Sequence, residues 1–193
     1  MVDRSGCNDS QGALSEACVT LDLATIPGAD LTPGQVGDVI ELCSSAFRLD
    51  YGPLLESFAG RVHVLAYAGR QLVAHALWLP RALRAGTGPW REAAYVEAVA
   101  THPDYRGRGY GTAVMRRLQQ EIGGYDLGAL STGVPEWYER LGWMRWLGPL
   151  LILKDGELQP TPGECVMVYR TSRTGELNLS AALTARWRPF EVW

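Results

Sequence analysis

Glu97 and the string His102-Pro103-Asp104-Tyr105-Arg106-Gly107-Arg108-Gly109-Tyr110-Gly111 hold the residue types in this chain best suited to chemistry. Gly107, Gly109 and Gly111 leave backbone N–H groups uncovered, and Arg106 and Arg108 add positive charge beside them. Val114, Leu118 and Ile122 then recur every four residues with Met115 at their side, which is one apolar helical stripe. Gly123-Gly124 stops it. A helix that opens out of such a loop points its orphan amides and its positive dipole end at solvent, a combination that binds phosphate. Upstream, Tyr95-Val96-Glu97-Ala98-Val99-Ala100-Thr101 reads as a strand, ended by His102-Pro103. The glycine spacing is not the G-x-G-x-x-G of a dinucleotide site, and the Walker lysine is absent. Glycines alone therefore allow either a phosphate loop or a tight strand-to-helix turn.

The fuller string decides between them. Arg106-Gly107-Arg108-Gly109-Tyr110-Gly111 resembles the (Q/R)-x-x-G-x-(G/A) coenzyme A loop of the GNAT superfamily of N-acetyltransferases. The resemblance implies an α/β (α+β) GNAT fold: a central mixed, twisted sheet, splayed at the acetyl-CoA strand and flanked by helices. It implies acetyl-CoA as co-substrate and no metal. The pyrophosphate would rest on the amides of Gly107, Arg108, Gly109, Tyr110, Gly111 and Thr112, next to Arg106. Val99 and Thr101 would hold the pantetheine, with a backbone N–H near Val99 steadying the thioester oxyanion.

Three further segments resemble the aminoglycoside 2'-N-acetyltransferases. These are the strand Tyr95-Val96-Glu97-Ala98-Val99-Ala100, the strand Leu127-Gly128-Ala129-Leu130-Ser131 leading to Trp137-Tyr138-Glu139-Arg140-Leu141-Gly142-Trp143, and the terminal Trp187-Arg188-Pro189-Phe190-Glu191-Val192-Trp193. An aminoglycoside carries several ammonium groups, and a site for it needs carboxylates for affinity and orientation. Asp50, Glu97, Glu191 and the terminal carboxylate of Trp193 are candidates by matching position, with Ser131 and Thr132 beside them. Leu54 and Leu55 stand where a second acidic residue is expected, and Glu191 replaces an Asp. Fewer carboxylates suit a less cationic substrate of the kasugamycin type as well as a deoxystreptamine antibiotic. The resemblance also implies a homodimer.

An attacking amine must lose a proton, and Glu97 is the candidate base, directly or through water. The departing thiolate needs a proton, and Tyr138 can give one, a phenol having a pKa of about 10 against about 8.5 for a thiol. Transfer would then be direct, within a ternary complex. His63, His75 and His102 stand without a partner motif, so Ser, His or Cys nucleophilic catalysis finds no support. Two other readings remain open: acetylation of another small amine or of a protein N-terminus, and an acyl-CoA-binding module without turnover.

These residues must be carried by one domain, expected over residues 18–193 behind a loose leader at 1–17. A net charge of −3 argues against nucleic acid as the main partner and is compatible with a cationic one. Cys7, Cys18, Cys43 and Cys165 show no metal-ligand spacing, which fits reduced thiols in a cytoplasmic protein. No apolar run is long enough for a membrane span. Thr32-Pro33-Gly34-Gln35 predicts a helix start with a capping box, followed by the apolar face Val36, Val39, Ile40, Cys43 and Phe47. A short helix is expected at 54–58, a hairpin of strands 61–68 and 71–80 turning at Gly69-Arg70, and a looser strand and loop over 82–92. Beyond the central helix, strands are expected at 126–132, 143–153 and 164–170, with a short helix at 135–141. The tail over 172–193 shows Leu177, Leu179 and Ala181 in alternation.

Overall fold

The structure is a computed structural model that describes residues 20–189 and 193. The expected leader at 1–17, Cys7, Cys18 and Glu191 lie outside the described residues. In chain order the elements are β1 (Leu21–Pro27), α1 (Pro33–Phe47), α2 (Gly52–Ser57), β2 (Val62–Ala68), β3 (Gln71–Ala85), β4 (Trp90–Thr101), α3 (Tyr110–Glu121), β5 (Leu127–Ser131) and α4 (Pro135–Glu139). There follow β6 (Met144–Arg145), β7 (Leu150–Lys154), β8 (Glu157–Pro160), β9 (Val166–Arg170) and β10 (Leu183–Arg186). All ten strands join one mixed sheet in the order β6-β9-β5-β4-β3-β10-β7-β8, with β2 and then β1 added along the first half of β3. Helices flank it, as the GNAT resemblance implies.

Local chemistry explains where α1 begins. The Thr32 hydroxyl accepts the Gln35 amide at 3.3 Å, while the Gln35 side chain accepts the Thr32 amide at 3.0 Å, so the capping box closes in both directions. Val39, Leu42 and Cys43 of α1 pack on one face of the sheet against Leu65, Leu72, Leu77 and Ala98. The stripe on α3 packs on the other: Val114, Met115, Leu118 and the following Ile122 meet Ala74, Ala76, Trp78 and Val96. A third apolar cluster gathers Leu83, Tyr95, Trp146, Ile152, Leu183 and Trp193 at the far half of the sheet.

Two segments differ from the sequence reading. The loop expected within 82–92 is confined to the turn at 86–89, and the strand around it is regular: β3 and β4 pair without a break from Pro80↔Ala94 to Arg84↔Trp90. The arginines that disguise this hairpin stack on aromatic rings, Arg84 over Trp90 at 4.8 Å and Arg81 over Tyr95 at 4.6 Å. Residues 143–153 are not one strand, because the chain parts at Gly148, where a Cβ would lie 1.9 Å from the Ala181 carbonyl oxygen. The tail strand is Leu183–Arg186, wedged between β3 and β7, and Leu177 and Leu179 pack on the third cluster from outside the sheet.

Candidate active site

The site begins where two parallel strands separate. β4 and β5 pair from Ala93↔Leu127 to Tyr95↔Ala129 and no further, although β4 runs on to Thr101 and β5 to Ser131. A bulge in β4 accompanies the separation: His75 and Leu77 of β3 face Ala100 and Glu97, so β4 carries one extra residue there. Ala98 takes it up with φ 54°, a left-handed conformation rare for a residue with a side chain. The splay expected at this strand is therefore present. Among the described residues, no strand faces one edge of β4 beyond Tyr95, and its backbone groups are available to a narrow extended ligand.

A cleft of about 660 Å³ opens into that gap. Val96 to Val99 form one wall, Leu130 to Val134 and Tyr138 another, Gly163 to Cys165 a third, and Trp193 closes the base. Phe47, Leu49, Tyr51 and Leu54 line the α1–α2 side, where Phe47 and Leu49 are exposed. The Glu97 side chain is only 14% exposed and makes an ion pair with Arg188, itself 17% exposed. The Arg188 guanidinium also lies over Tyr95 at 5.2 Å and Phe58 at 5.5 Å. Tyr138 is buried, edge-on to Trp137 and Trp143 at 4.7 and 6.2 Å, and it faces the same cleft as Glu97. Burial first, and then the negative charge of Glu97, raise its phenol pKa, so at neutral pH it is a proton donor and not a phenolate.

At the far end of β4 lies the glycine loop. Gly107 and Gly109 adopt φ 76° and 81°, which lets the chain fold back under Arg108 and enter α3 directly. The helix ladder starts with the Ala113 amide donating to the Gly109 carbonyl, so the amides of Tyr110, Gly111 and Thr112 stand ahead of it. Arg106 and Arg108 are exposed, the latter over the Tyr105 ring at 5.2 Å. Bare amides, a helix N-terminus and two cations fit a pyrophosphate. Gly111 has a second constraint, since a Cβ there would lie 2.9 Å from Thr101 Oγ1 and 3.6 Å from Trp137. Gly111→Leu should thus push α3 off the end of β4 and weaken acetyl-CoA binding by on the order of tenfold or more, read by calorimetry on folded protein. Unchanged affinity would remove the loop from the coenzyme site.

Residues 28–145 match the family model described as "Acetyltransferase (GNAT) domain". The chain belongs to the GNAT acetyltransferases. It is 35% identical over 152 residues to a Mycolicibacterium fortuitum protein named aminoglycoside 2'-N-acetyltransferase, an alignment covering 72% of this chain and 74% of the relative. Among solved structures, the Escherichia coli GNAT family N-acetyltransferase YhbS in complex with CoA superposes with TM-score 0.62 at 16% identity, over 86% of this chain and 91% of that one. Escherichia coli ElaA gives TM-score 0.57 at 15% identity, over 78% and 100%. At these identities the structural likeness shows the fold.

In this acetyltransferase the expected site residues are not all placed alike. Glu97, Val99, Ser131, Thr132, Tyr138 and Trp193 line the cleft together. Thr101 ends β4, residues 106–109 lie in the loop after it, and residues 110–112 open α3. Asp50 is exposed and accepts the Gly52 amide at 3.1 Å; its neighbours Leu49 and Tyr51 line the cleft. Trp193 lines the cleft with little of its surface open to it. It is buried in the third cluster, with Nε1 donating to Thr161 Oγ1 at 2.6 Å and the Arg81 guanidinium 5.7 Å from its centroid.

Sequence reasoning missed two charged groups. Arg188, although inside the terminal motif, carried no sign that it reaches Glu97, 91 residues away. Glu164 lines the cleft opposite β4 and accepts the Ser131 hydroxyl at 2.9 Å. It follows two prolines and a glycine in a segment with no periodic pattern, and only the pairing of β9 with β5 brings it to Ser131.

Proposed function

We propose that this acetyltransferase moves the acetyl group of acetyl-CoA onto the 2'-amino group of an aminoglycoside antibiotic, directly within a ternary complex, and so confers resistance. The observation that carries this reading is one cleft, at the β4–β5 gap, onto which both Glu97 and Tyr138 face. The named relative supports the substrate class. In this reading Glu97 takes the amine proton as the N–C bond forms, the Val99 N–H holds the oxyanion, and Tyr138 hands its proton to the thiolate as the C–S bond breaks. Among the described residues the side-chain carboxylates on the cleft wall are Glu97 and Glu164, and Glu97 already faces Arg188. So small a negative set favours a kasugamycin-type substrate with few amines over a highly charged deoxystreptamine antibiotic. The enzyme is read as a cytoplasmic homodimer; no helix among the described residues is long and apolar enough to cross a membrane.

Thiol release followed over an amine panel and both substrate concentrations tests this reading. Intersecting initial-rate lines with an aminoglycoside support a ternary complex. Parallel lines would point to a covalent acetyl-enzyme instead. Tyr138→Phe removes the proton offered to the thiolate and should lower the single-turnover rate by on the order of a hundredfold, with little change in substrate affinity. A variant as fast as the parent would leave Tyr138 as packing for Trp137 and Trp143.

A further inference from the structure

Behind the bulge in β4 lies a pair of histidines for which the sequence suggested no task. His63 and His75 are both fully buried between the sheet and α1. His75 Nδ1 lies 2.9 Å from the Ala98 carbonyl oxygen, and His75 Nε2 lies 2.9 Å from His63 Nδ1. A carbonyl only accepts, so His75 Nδ1 must carry the proton. In a neutral ring Nε2 then accepts, and His63 Nδ1 must donate to it. The remaining nitrogen, His63 Nε2, is buried without a hydrogen-bond partner and bears no proton in this arrangement. One tautomer is thus imposed along the whole relay. Burial supports it: the His75 pKa falls to about 4, and that of His63 falls to about 3 through burial, then the neighbouring His75 and Arg61. Cys43 of α1 is the third group, with Sγ 3.7 Å from His75 Nδ1 and its thiol pushed up to about 12 by burial, so it too is neutral.

The bond from His75 ends on the residue with φ 54°. A strained backbone persists only where its surroundings hold it. The peptide between Ala98 and Val99 is trans, so its C=O and N–H point to opposite sides. Fixing the Ala98 oxygen on the imidazole turns the Val99 N–H away from that ring, and Val99 lines the cleft.

We infer that His75, set in its Nδ1–H tautomer by His63, is a positioning residue for acetyl transfer: it grips the Ala98 carbonyl and thereby aims the Val99 N–H at the thioester oxygen. The inference rests on acetyl-CoA binding at the β4–β5 gap but not on which amine is acetylated. His75 touches no substrate atom. A backbone donor aimed in advance needs no reorganisation when charge develops, and losing such a donor costs on the order of a hundredfold in rate.

The test uses His75→Leu, which has no donor, and His75→Asn, whose amide nitrogen can stand near the place of Nδ1. Both lose the His63 bond, so a merely structural role would affect them alike. Isotope-edited infrared spectroscopy of acetyl-CoA labelled at the thioester carbonyl reads the polarisation directly, with no acceptor amine needed. The carbonyl stretch should shift to lower frequency on the parent and on His75→Asn, and return toward the free value on His75→Leu, with acetyl-CoA affinity within about twofold throughout. An equal shift on all three, or no shift on a parent that binds acetyl-CoA, would overturn the inference. A parent that does not bind acetyl-CoA would overturn the reading beneath it. If His75→Leu fails to fold, nitrogen NMR of the parent imidazoles still decides: the Nδ1–H tautomer at His75 supports the relay, and Nε2–H or an imidazolium contradicts it.

Discussion

Glu97→Gln is expected to lower acetyl transfer near neutral pH by on the order of a hundredfold or more, with acetyl-CoA affinity nearly unchanged. The substitution keeps the shape of a side chain that lines the cleft, and removes its charge together with its capacity to take a proton. If base strength is what is lost, the deficit shrinks as pH rises, because more of the substrate amine is then already neutral. The ion pair supplies a complication and a control. Glutamine leaves the half-buried Arg188 facing a neutral amide, which costs stability as well as chemistry. Arg188→Gln, measured alone and with Glu97→Gln, separates the two. A loss of rate confined to the Glu97 variants assigns the proton to Glu97. Equal losses in both, flat across pH, would make the pair a device for placing the substrate.

The second large effect lies at the chain end. Removing Val192 and Trp193 should raise KM for the proposed aminoglycoside substrate by on the order of tenfold or more while coenzyme affinity changes little. It should also lower stability by about 3–5 kcal/mol, the usual cost of deleting a buried large aromatic side chain. The stability part follows from packing: the indole fills the third cluster, donates to Thr161, and lies under Arg81. The KM part follows from contact, since Trp193 is among the residues that line the cleft. Thr161→Val, which removes the acceptor of the indole and the hydroxyl's own bond to the Leu150 carbonyl at 3.3 Å, should cost about 1–3 kcal/mol. Truncated enzyme that stays folded and keeps its KM would reduce the tail to a clasp.

Features set by near neighbours in the chain were the ones a sequence could reveal. The start of α1 follows from four consecutive residues, and the turn at Gly69 from two. The acidic residue in β4 stands out because an apolar strand seldom holds a charge without use for it. What stayed hidden depends on residues far apart. Arg81 and Arg84 look like loop residues until Tyr95 and Trp90 lie beside them. The break before β7 depends on Gly148 meeting Ala181. Arg188 reaches Glu97 only because β10 inserts between β3 and β7 and returns the tail to the cleft. The histidines carry no motif, although β2 and β3 pair so as to bring them within hydrogen-bond distance behind the bulge.

In the proposed reaction the new amide bond forms on the 2' nitrogen. The purified enzyme, incubated with acetyl-CoA and a matched pair of aminoglycosides that differ only in bearing an amine or a hydroxyl at the 2' carbon, tests it most directly, with the products read by mass spectrometry and NMR. Thiol release and a single acetyl group on the 2' nitrogen are expected for the first compound, and no turnover for the second. Acetylation of both compounds at another nitrogen, or of neither while a different amine is consumed, would contradict it.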